Sequence, residues 1–424
     1  MKLTDLLGRR IVLFDGAMGT ALQAAGLGAS ELPEIWNVTH PDVVSDIHLG
    51  YLRAGSDVVT TNTLGALQNV LDESGCGYST EEVYAAAVSC ARSAIETIQK
   101  EESDETPDKP RFVAASIGPT RHLVGMTGGI NAEEAYELYK AAVMAAERAG
   151  ADVLLFETFT DILELKTGIL AAKEYTNLPV FACLTYEKGG RTLTGTDPFT
   201  AINITNGLGL DAFGVNCSLG PDALLDIAKE LADYSGVPVI VQPNAGMPTV
   251  LDDGSLVYDM DAEDFADKLI EIAKSGAAII GGCCGSNYTF ISAVRKRLDA
   301  AHDDEPTVFP AVATQWFEEK AAKGRPSVCS GAKTIFADDI DMNELPRGVA
   351  TCVDADVISE AQDGNFKLSD GRKALLLHTT TPENLDMAMR ACRGKPGICM
   401  GKSEPGKEEQ IRAVAKKYGA VVLE

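Results

Sequence analysis

Cys217 and the adjacent pair Cys283–Cys284 are the residues of this sequence whose type and setting suggest chemistry first. Each follows a short apolar run, in Asn216-Cys217-Ser218 and in Gly281-Gly282-Cys283-Cys284-Gly285. Soft thiolates suit zinc, and three protein ligands leave one of its four positions open, the pattern of a catalytic rather than a structural site. Neighbouring residues of a strand point to opposite faces, so two adjacent sulfurs reach one ion only from a sharply turned backbone, which the flanking glycines permit. Two other readings stay open on these residues alone. Free cysteines are often small buried hydrophobes, and a vicinal disulfide is a strained third possibility that a reducing compartment disfavours.

Two carboxylates stand at comparable junctions, Asp15 in Asp15-Gly16-Ala17-Met18-Gly19-Thr20 and Glu157 in Glu157-Thr158. Together they suit an ammonium group, and the backbone N–H groups of Gly16, Ala17 and Met18 suit a carboxylate beside it. An amino-acid ligand is the expectation. The plainer alternative for each acid is a cap on the following helix.

The elements that must position these groups are legible from periodicity. Apolar, β-rich runs alternate with amphipathic helical stretches, the strands reading Ile11–Phe14, Asp57–Thr61, Phe112–Ile117, Asp152–Glu157, Val180–Tyr186, Ala212–Asn216, Pro238–Gln242 and Ala277–Gly281. Eight such units predict an α/β fold, a (β/α)8 TIM barrel, with its working residues where strands end and loops begin. In that arrangement the sixth and eighth strands flank the seventh, which brings Cys217 near Cys283 and Cys284. A doubly wound dinucleotide fold is the competitor, but the turn after the first strand lacks the G-x-G-x-x-G spacing. The polar run Lys100–Pro110 reads as a solvated loop at the inert end of the barrel, and 302–310 as a linker out of it. The expected organisation is therefore a barrel over 1–301 and a small α/β accessory domain over 311–424, with strand-like runs Gly348–Val353, Ala374–His378 and Ala420–Leu423.

Composition narrows the partners. Across 424 residues, 37 basic against 62 acidic side chains give a formal charge of −25, which opposes binding to nucleic acid or to anionic membranes. No stretch reaches the roughly eighteen apolar residues of a membrane span, and Met1–Arg10 lacks a secretion signal. The expectation is a cytoplasmic protein with reduced cysteines.

The motifs, taken together, resemble the homocysteine S-methyltransferases, most closely the N-terminal homocysteine-binding module of cobalamin-dependent methionine synthase. The resemblance covers roughly residues 5–300 and rests on Leu13–Thr20, Thr61-Asn62-Thr63, Phe156-Glu157-Thr158, Gly214–Ser218, Gln242-Pro243-Asn244-Ala245-Gly246 and Gly281–Gly285. It implies one zinc per chain on Cys217, Cys283 and Cys284, with the homocysteine thiolate in the open position and Asn244 filling it when substrate is absent. It also implies substrate contacts from Asp15, Gly16, Ala17, Met18, Glu157, Thr61 and Asn62.

The segment from Thr379 to Leu423 resembles part of a pterin-binding barrel, but lacks that family's Asp-Ser-Ser and Asn-Ser motifs, having His378-Thr379-Thr380-Thr381 and Cys399-Met400 near those places. No histidine stands in an Asp-x-His-x-x-Gly motif, so no integral cobalamin is expected. The expected methyl donor is a corrinoid protein in trans, with betaine or S-methylmethionine as the small-donor alternative. A non-catalytic homocysteine-binding subunit and a zinc hydrolase using Glu157 as base are the readings of other classes.

Overall fold

The computed structural model describes residues 1–102, 109–125, 129–250, 256–304, 327–329, 334–336, 350–354, 374–378, 381–392, 394–400 and 406–423. The barrel strands are β1 (Val12–Leu13), β2 (Val58–Thr60), β3 (Phe112–Ile117), β4 (Val153–Phe159), β5 (Val180–Leu184), β6 (Ala212–Asn216) and β7 (Val239–Gln242). After an antiparallel hairpin of β8 (Pro248–Val250) and β9 (Leu256–Tyr258), the eighth barrel strand is β10 (Ala277–Ile280). The parallel order is β1-β10-β7-β6-β5-β4-β3-β2, and a bridge from Phe14 to Val58 joins the two ends into a closed ring. Closure matters because it puts every strand's C-terminal end on one rim.

Alternation along the strands separates two cores. Val12, Phe14, Val58, Phe112, Ala114, Val153, Leu155, Phe181, Cys183, Ala212, Ile240 and Ile279 fill the interior with Leu3 and Leu6 of the N-terminal turn. Their neighbours, such as Leu13, Val59, Val113, Leu154 and Val241, pack outward under the helices. The opposite rim is held by a repeated device. Asp57, Asp152 and Asp211 immediately precede β2, β4 and β6. Each donates its backbone N–H to the strand before it, at Leu13, Val113 and Val180, and accepts that same residue's N–H on its side chain at 2.7–2.9 Å. Arg10 grips the buried Asp57 through both guanidinium nitrogens, at 2.6 and 2.9 Å.

The expected strands all form, and the differences lie at their ends. β4 continues past Glu157 to Phe159, the helix Thr80–Glu102 takes up the start of the expected Lys100–Pro110 loop, and the helix Tyr288–Asp304 includes the first residues of the expected linker. Residues 103–108 and 305–310 of those two segments lie outside the described residues. The β8–β9 hairpin was not expected, because its two short strands carry too little alternation to read. No helix among the described residues is long and apolar enough to cross a membrane.

Beyond the barrel, an antiparallel pair β11 (Ser327–Cys329) and β12 (Thr334–Phe336) precedes a four-stranded parallel sheet in the order β13 (Ala350–Asp354), β14 (Ala374–His378), β15 (Gly397–Cys399), β16 (Val421–Leu423). Three of these four strands match the expected runs, apart from residues 348–349, which lie outside the described residues; β15 is not among those runs. The buried Leu377, Leu385, Met389, Ile398, Ile411 and Tyr418 join the barrel's outer core. At the junction Lys166, buried in the barrel helix Ile162–Tyr175, donates to the carbonyl oxygens of Met389 and Cys392 at 2.8 Å and of Gly394 at 3.2 Å. It thereby satisfies carbonyls that the end of the helix Pro382–Ala391 leaves free. Arg390 and Lys417 reach Glu174 on the same barrel helix, at 3.5 and 2.7 Å.

Lys166→Met should leave those three carbonyls unpaired and loosen the C-terminal sheet by about 2 kcal/mol while sparing the barrel. Hydrogen exchange is expected to accelerate in Pro382–Ala391 and not in β3–β6. Unchanged exchange there would show that Lys166 contributes nothing to the docking.

Candidate metal centre

Cys217 extends β6 by one step, its N–H donating to the Gln242 carbonyl at 3.0 Å. There the backbone turns abruptly, with φ of 62° at Cys217 and 61° at Ser218, both left-handed and neither glycine. Such residues cost on the order of 1–3 kcal/mol each and persist where surrounding structure demands them. The pair Cys283–Cys284 follows β10 on an equally sharp path, with Gly282 N–H bonded to the Asp15 carbonyl, Cys283 N–H to the Pro243 carbonyl and Ala245 N–H to the Cys284 carbonyl, at 2.8–2.9 Å. A Cβ on Gly282 would strike Ser286, and Gly285 has φ of 82° with the Tyr258 ring over the face where a Cβ would stand. The glycines are therefore sterically required around these two cysteines.

The three sulfurs converge. Sγ of Cys217 lies 3.9 Å from Sγ of Cys284, and all three sulfurs lie within 4.8 Å of one another. A tetrahedral ion with metal–sulfur bonds of about 2.3 Å sets its sulfurs roughly 3.8 Å apart, so the donor set and its spacing fit one ion. All three are free cysteines, which removes the vicinal disulfide. With no cation, the thiols share charge unequally. Bonds from Cys217 and Cys283 pull Cys284 down to about 3. Cys217 is lowered by its bond with Cys283 but raised more by Cys284 and by burial, to about 12, and Cys283 is held up by both neighbours and by burial.

Asn244 sits between the two arms of the cluster. Its N–H bonds to the Leu219 carbonyl at 3.0 Å, while the next residue bonds to Cys284, and its own side-chain oxygen is buried without a hydrogen-bond partner.

The acids lie on the same rim. Asp15 accepts from the Thr60 N–H at 2.7 Å and the Thr60 hydroxyl at 2.8 Å. Glu157 turns inward at a bulge, where the β4–β5 register shifts between Phe156 and Phe159 and Thr158 takes φ of 66°. Its carboxylate accepts from the Ser116 hydroxyl at 2.5 Å and the Asn216 amide at 3.1 Å. Asn216, the residue before Cys217, also accepts the Thr158 N–H at 2.8 Å, which ties the acid's bulge to the sulfur's strand. Among the described residues no cation pairs with either acid, and burial pushes each up to about 7. For Asp15 the bonds from Thr60 oppose that rise and the charge of Glu157 adds to it; for Glu157 Ser116 opposes it and Cys284 adds.

Three of the residues expected to contact substrate also carry bonds within the fold. The Ala17 N–H is committed to the Ser286 carbonyl at 2.9 Å, so of the three amides proposed for a carboxylate only those of Gly16 and Met18 stay available. Thr61 shares a hydrogen bond with Thr63 at 2.6 Å and accepts the Ser116 N–H. The Asn62 amide donates to the Pro33 carbonyl at 2.7 Å, and its own carbonyl accepts from Asn37. Both side chains thereby tie parts of the rim together. Conversely Thr60, Ser116 and Asn216 orient the acids, a role that the sequence analysis assigns to none of them. Tyr51, whose hydroxyl donates to the Ala17 and Ser286 carbonyls at 3.0 and 3.1 Å, carried no signal at all.

The model of the homocysteine S-methyltransferase family matches residues 12–298. Methionine synthase of Mycobacterium tuberculosis is 33% identical over 324 residues, covering 72% of this chain and 26% of its own length; that of Mycobacterium leprae is 32% identical over 313 residues, covering 71% and 25%. The chain thus spans about a quarter of the length of these curated relatives. Among solved structures, the metallated form of the Escherichia coli homocysteine methyltransferase MmuM is similar in fold, with a TM-score of 0.57, 24% identity, 68% of this chain covered and 96% of that one. On the family match and the identity to its methionine synthase relatives, this chain belongs to the homocysteine S-methyltransferase family.

Proposed function

We propose that the chain binds homocysteine at a zinc ion held by Cys217, Cys283 and Cys284 and carries a methyl group onto its sulfur, giving methionine. The observation that carries this reading is the convergence of three sulfurs, at a spacing that suits one ion, beside two buried acids with no cation of their own. Bound zinc supplies a thiol deprotonated at neutral pH and electron-rich enough to act as a nucleophile.

The chain's own residues do the rest. Asp15 and Glu157 hold the substrate ammonium, whose charge offsets the burial that keeps them high. The Gly16 and Met18 amides take its carboxylate, and Thr61 and Asn62 hold the rim beside them. The side-chain oxygen of Asn244 is the group suited to the fourth position when substrate is absent, because it is buried with no other partner. With both ends of the amino acid fixed, the thiolate faces the mouth. The S–CH3 bond then forms as the donor–CH3 bond breaks, the electron pair stays with the donor, and the thiol proton has already passed to solvent.

For the donor we propose a separate methylated corrinoid protein, a reading supported by the 33% identity to a methionine synthase and by the few aromatic side chains in the sequence, 6%, from which a pocket for a small methylated cation could be built. In this organisation 1–301 is the homocysteine barrel, 302–310 the connection and 311–424 an accessory unit docked on the barrel's flank. A cytoplasmic setting, which keeps the cysteines reduced, fits the same reading.

Purified protein should contain about one zinc and release protons on binding homocysteine near neutral pH, and Cys217→Ala should lose both. A variant that retains its metal and its homocysteine affinity would refute the three-cysteine site. Turnover is expected with a methylated corrinoid protein and not with betaine or S-methylmethionine; the reverse pattern would overturn the donor assignment.

Glu157→Gln separates binding from stability. Because Glu157 titrates at about 7 when folded and near 4 when unfolded, its stabilising protonated form is lost as pH rises through 7. The ligand-free variant should therefore match wild type at pH 4 and gain about 1–3 kcal/mol at pH 8, while homocysteine affinity falls by roughly ten- to a hundredfold. Thermal unfolding at the two pH values and calorimetric titration read these; a variant that is less stable at pH 8 would contradict the unpaired-acid reading.

A further inference from the structure

The alternation that separates the two cores continues to the rim. In β7 Ile240 faces the barrel interior while Val239 and Val241 pack outward, so Gln242, the last residue of the strand, returns to the interior. The same count from Val58, Ala114, Leu155, Cys183 and Ala212 turns Thr60, Ser116, Glu157, Thr185 and Asn216 inward. Those side chains are bonded to one another or to the acids: Thr60 to Asp15, Ser116 and Asn216 to Glu157, and Thr185 to the Asn216 carbonyl at 3.0 Å. Gln242 differs. It is 3% exposed, and its side-chain oxygen is buried with no hydrogen-bond partner. The backbone carbonyl, not the side chain, receives the Cys217 N–H at 3.0 Å. Its Nε2 lies 3.3 Å from where a Cβ on Gly281 would stand, so the bare backbone of the neighbouring strand end leaves the amide its room.

Around the closed ring, β1, β4 and β7 stand three, three and two places apart. Asp15 follows the first of these strands, Glu157 belongs to the second and Gln242 ends the third, so three oxygen acceptors approach the barrel axis from nearly even directions. An alkylammonium has three N–H bonds splayed about its C–N axis, and two carboxylates account for two of them. We propose that Gln242 is a substrate-binding residue whose side-chain oxygen accepts the third N–H of the homocysteine ammonium held by Asp15 and Glu157. The inference rests on the homocysteine reading of the site. An amide suits the third place because it supplies an acceptor without adding a third negative charge beside the thiolates. A buried amide oxygen without a partner is costly in the empty site, and a ligand that donates to it removes that cost.

Gln242→Met keeps the length of the side chain and removes its polar end. Calorimetric titration of the zinc-loaded protein should show homocysteine affinity lowered by roughly ten- to a hundredfold, the effect of losing one hydrogen bond to a charged group. The loss should follow the ammonium. Binding of 3-mercaptopropylamine, which lacks the carboxylate, should weaken by a similar factor, whereas 4-mercaptobutanoate, which lacks the amine, should bind variant and wild type alike. The ligand-free variant should unfold at the wild-type temperature or above it, because it no longer buries an unpartnered amide. Gln242→Leu, shorter and equally apolar, is expected to behave in the same way. An unchanged homocysteine affinity, a loss shared by 4-mercaptobutanoate, or a loss accompanied by a lower ligand-free Tm would overturn the role of Gln242 and leave the homocysteine site standing. If wild type binds neither homocysteine nor the two analogues, the homocysteine reading itself fails and this inference with it.

Discussion

Three sulfurs within 4.8 Å of one another are tolerable as thiols and mutually repulsive as thiolates. That constraint organises the rim of the barrel. Cys217 and Ser218 accept left-handed backbone, Gly282 and Gly285 give up side chains, and Asn216 ties the sulfur's strand to the bulge that carries Glu157. Together they hold a donor set at the spacing of a single tetrahedral ion.

The acids obey the same logic with the opposite need. Asp15 and Glu157 are buried, hydrogen-bonded and unpaired, so the empty protein keeps them partly protonated near neutrality. Binding sites commonly hold such unfavourable groups, because a ligand that relieves them binds more tightly for it. The closed barrel supplies the rigidity that makes this affordable. Its interior is filled by Phe14, Phe112, Phe181 and their neighbours, its far rim is stapled by Asp57, Asp152 and Asp211, and its strand ends cannot relax away from one another.

The C-terminal sheet packs against the barrel's helical layer. It is fastened to the flank through Lys166, Glu174 and an apolar core shared with the barrel helices. A buried lysine that serves three carbonyls makes this junction specific, since the cation has no other partner if the sheet departs.

Much of the architecture could be read from residue order alone. The period of apolar runs located all eight barrel strands, because parallel strands buried on both faces are short continuous apolar segments. Strand-end composition located the three cysteines and the two acids, because in a barrel function collects where strands stop. What the order of residues could not decide was direction. The bulge that turns Glu157 inward, the commitment of the Ala17 amide to Ser286, the bonds of Thr61 and Asn62 along the rim, and the approach of the Tyr258 ring to Gly285 all depend on segments far apart in the chain. Local propensity reports which backbone a residue favours, whereas a hydrogen bond between Ala17 and Ser286 exists only once the closed ring has set β1 beside β10.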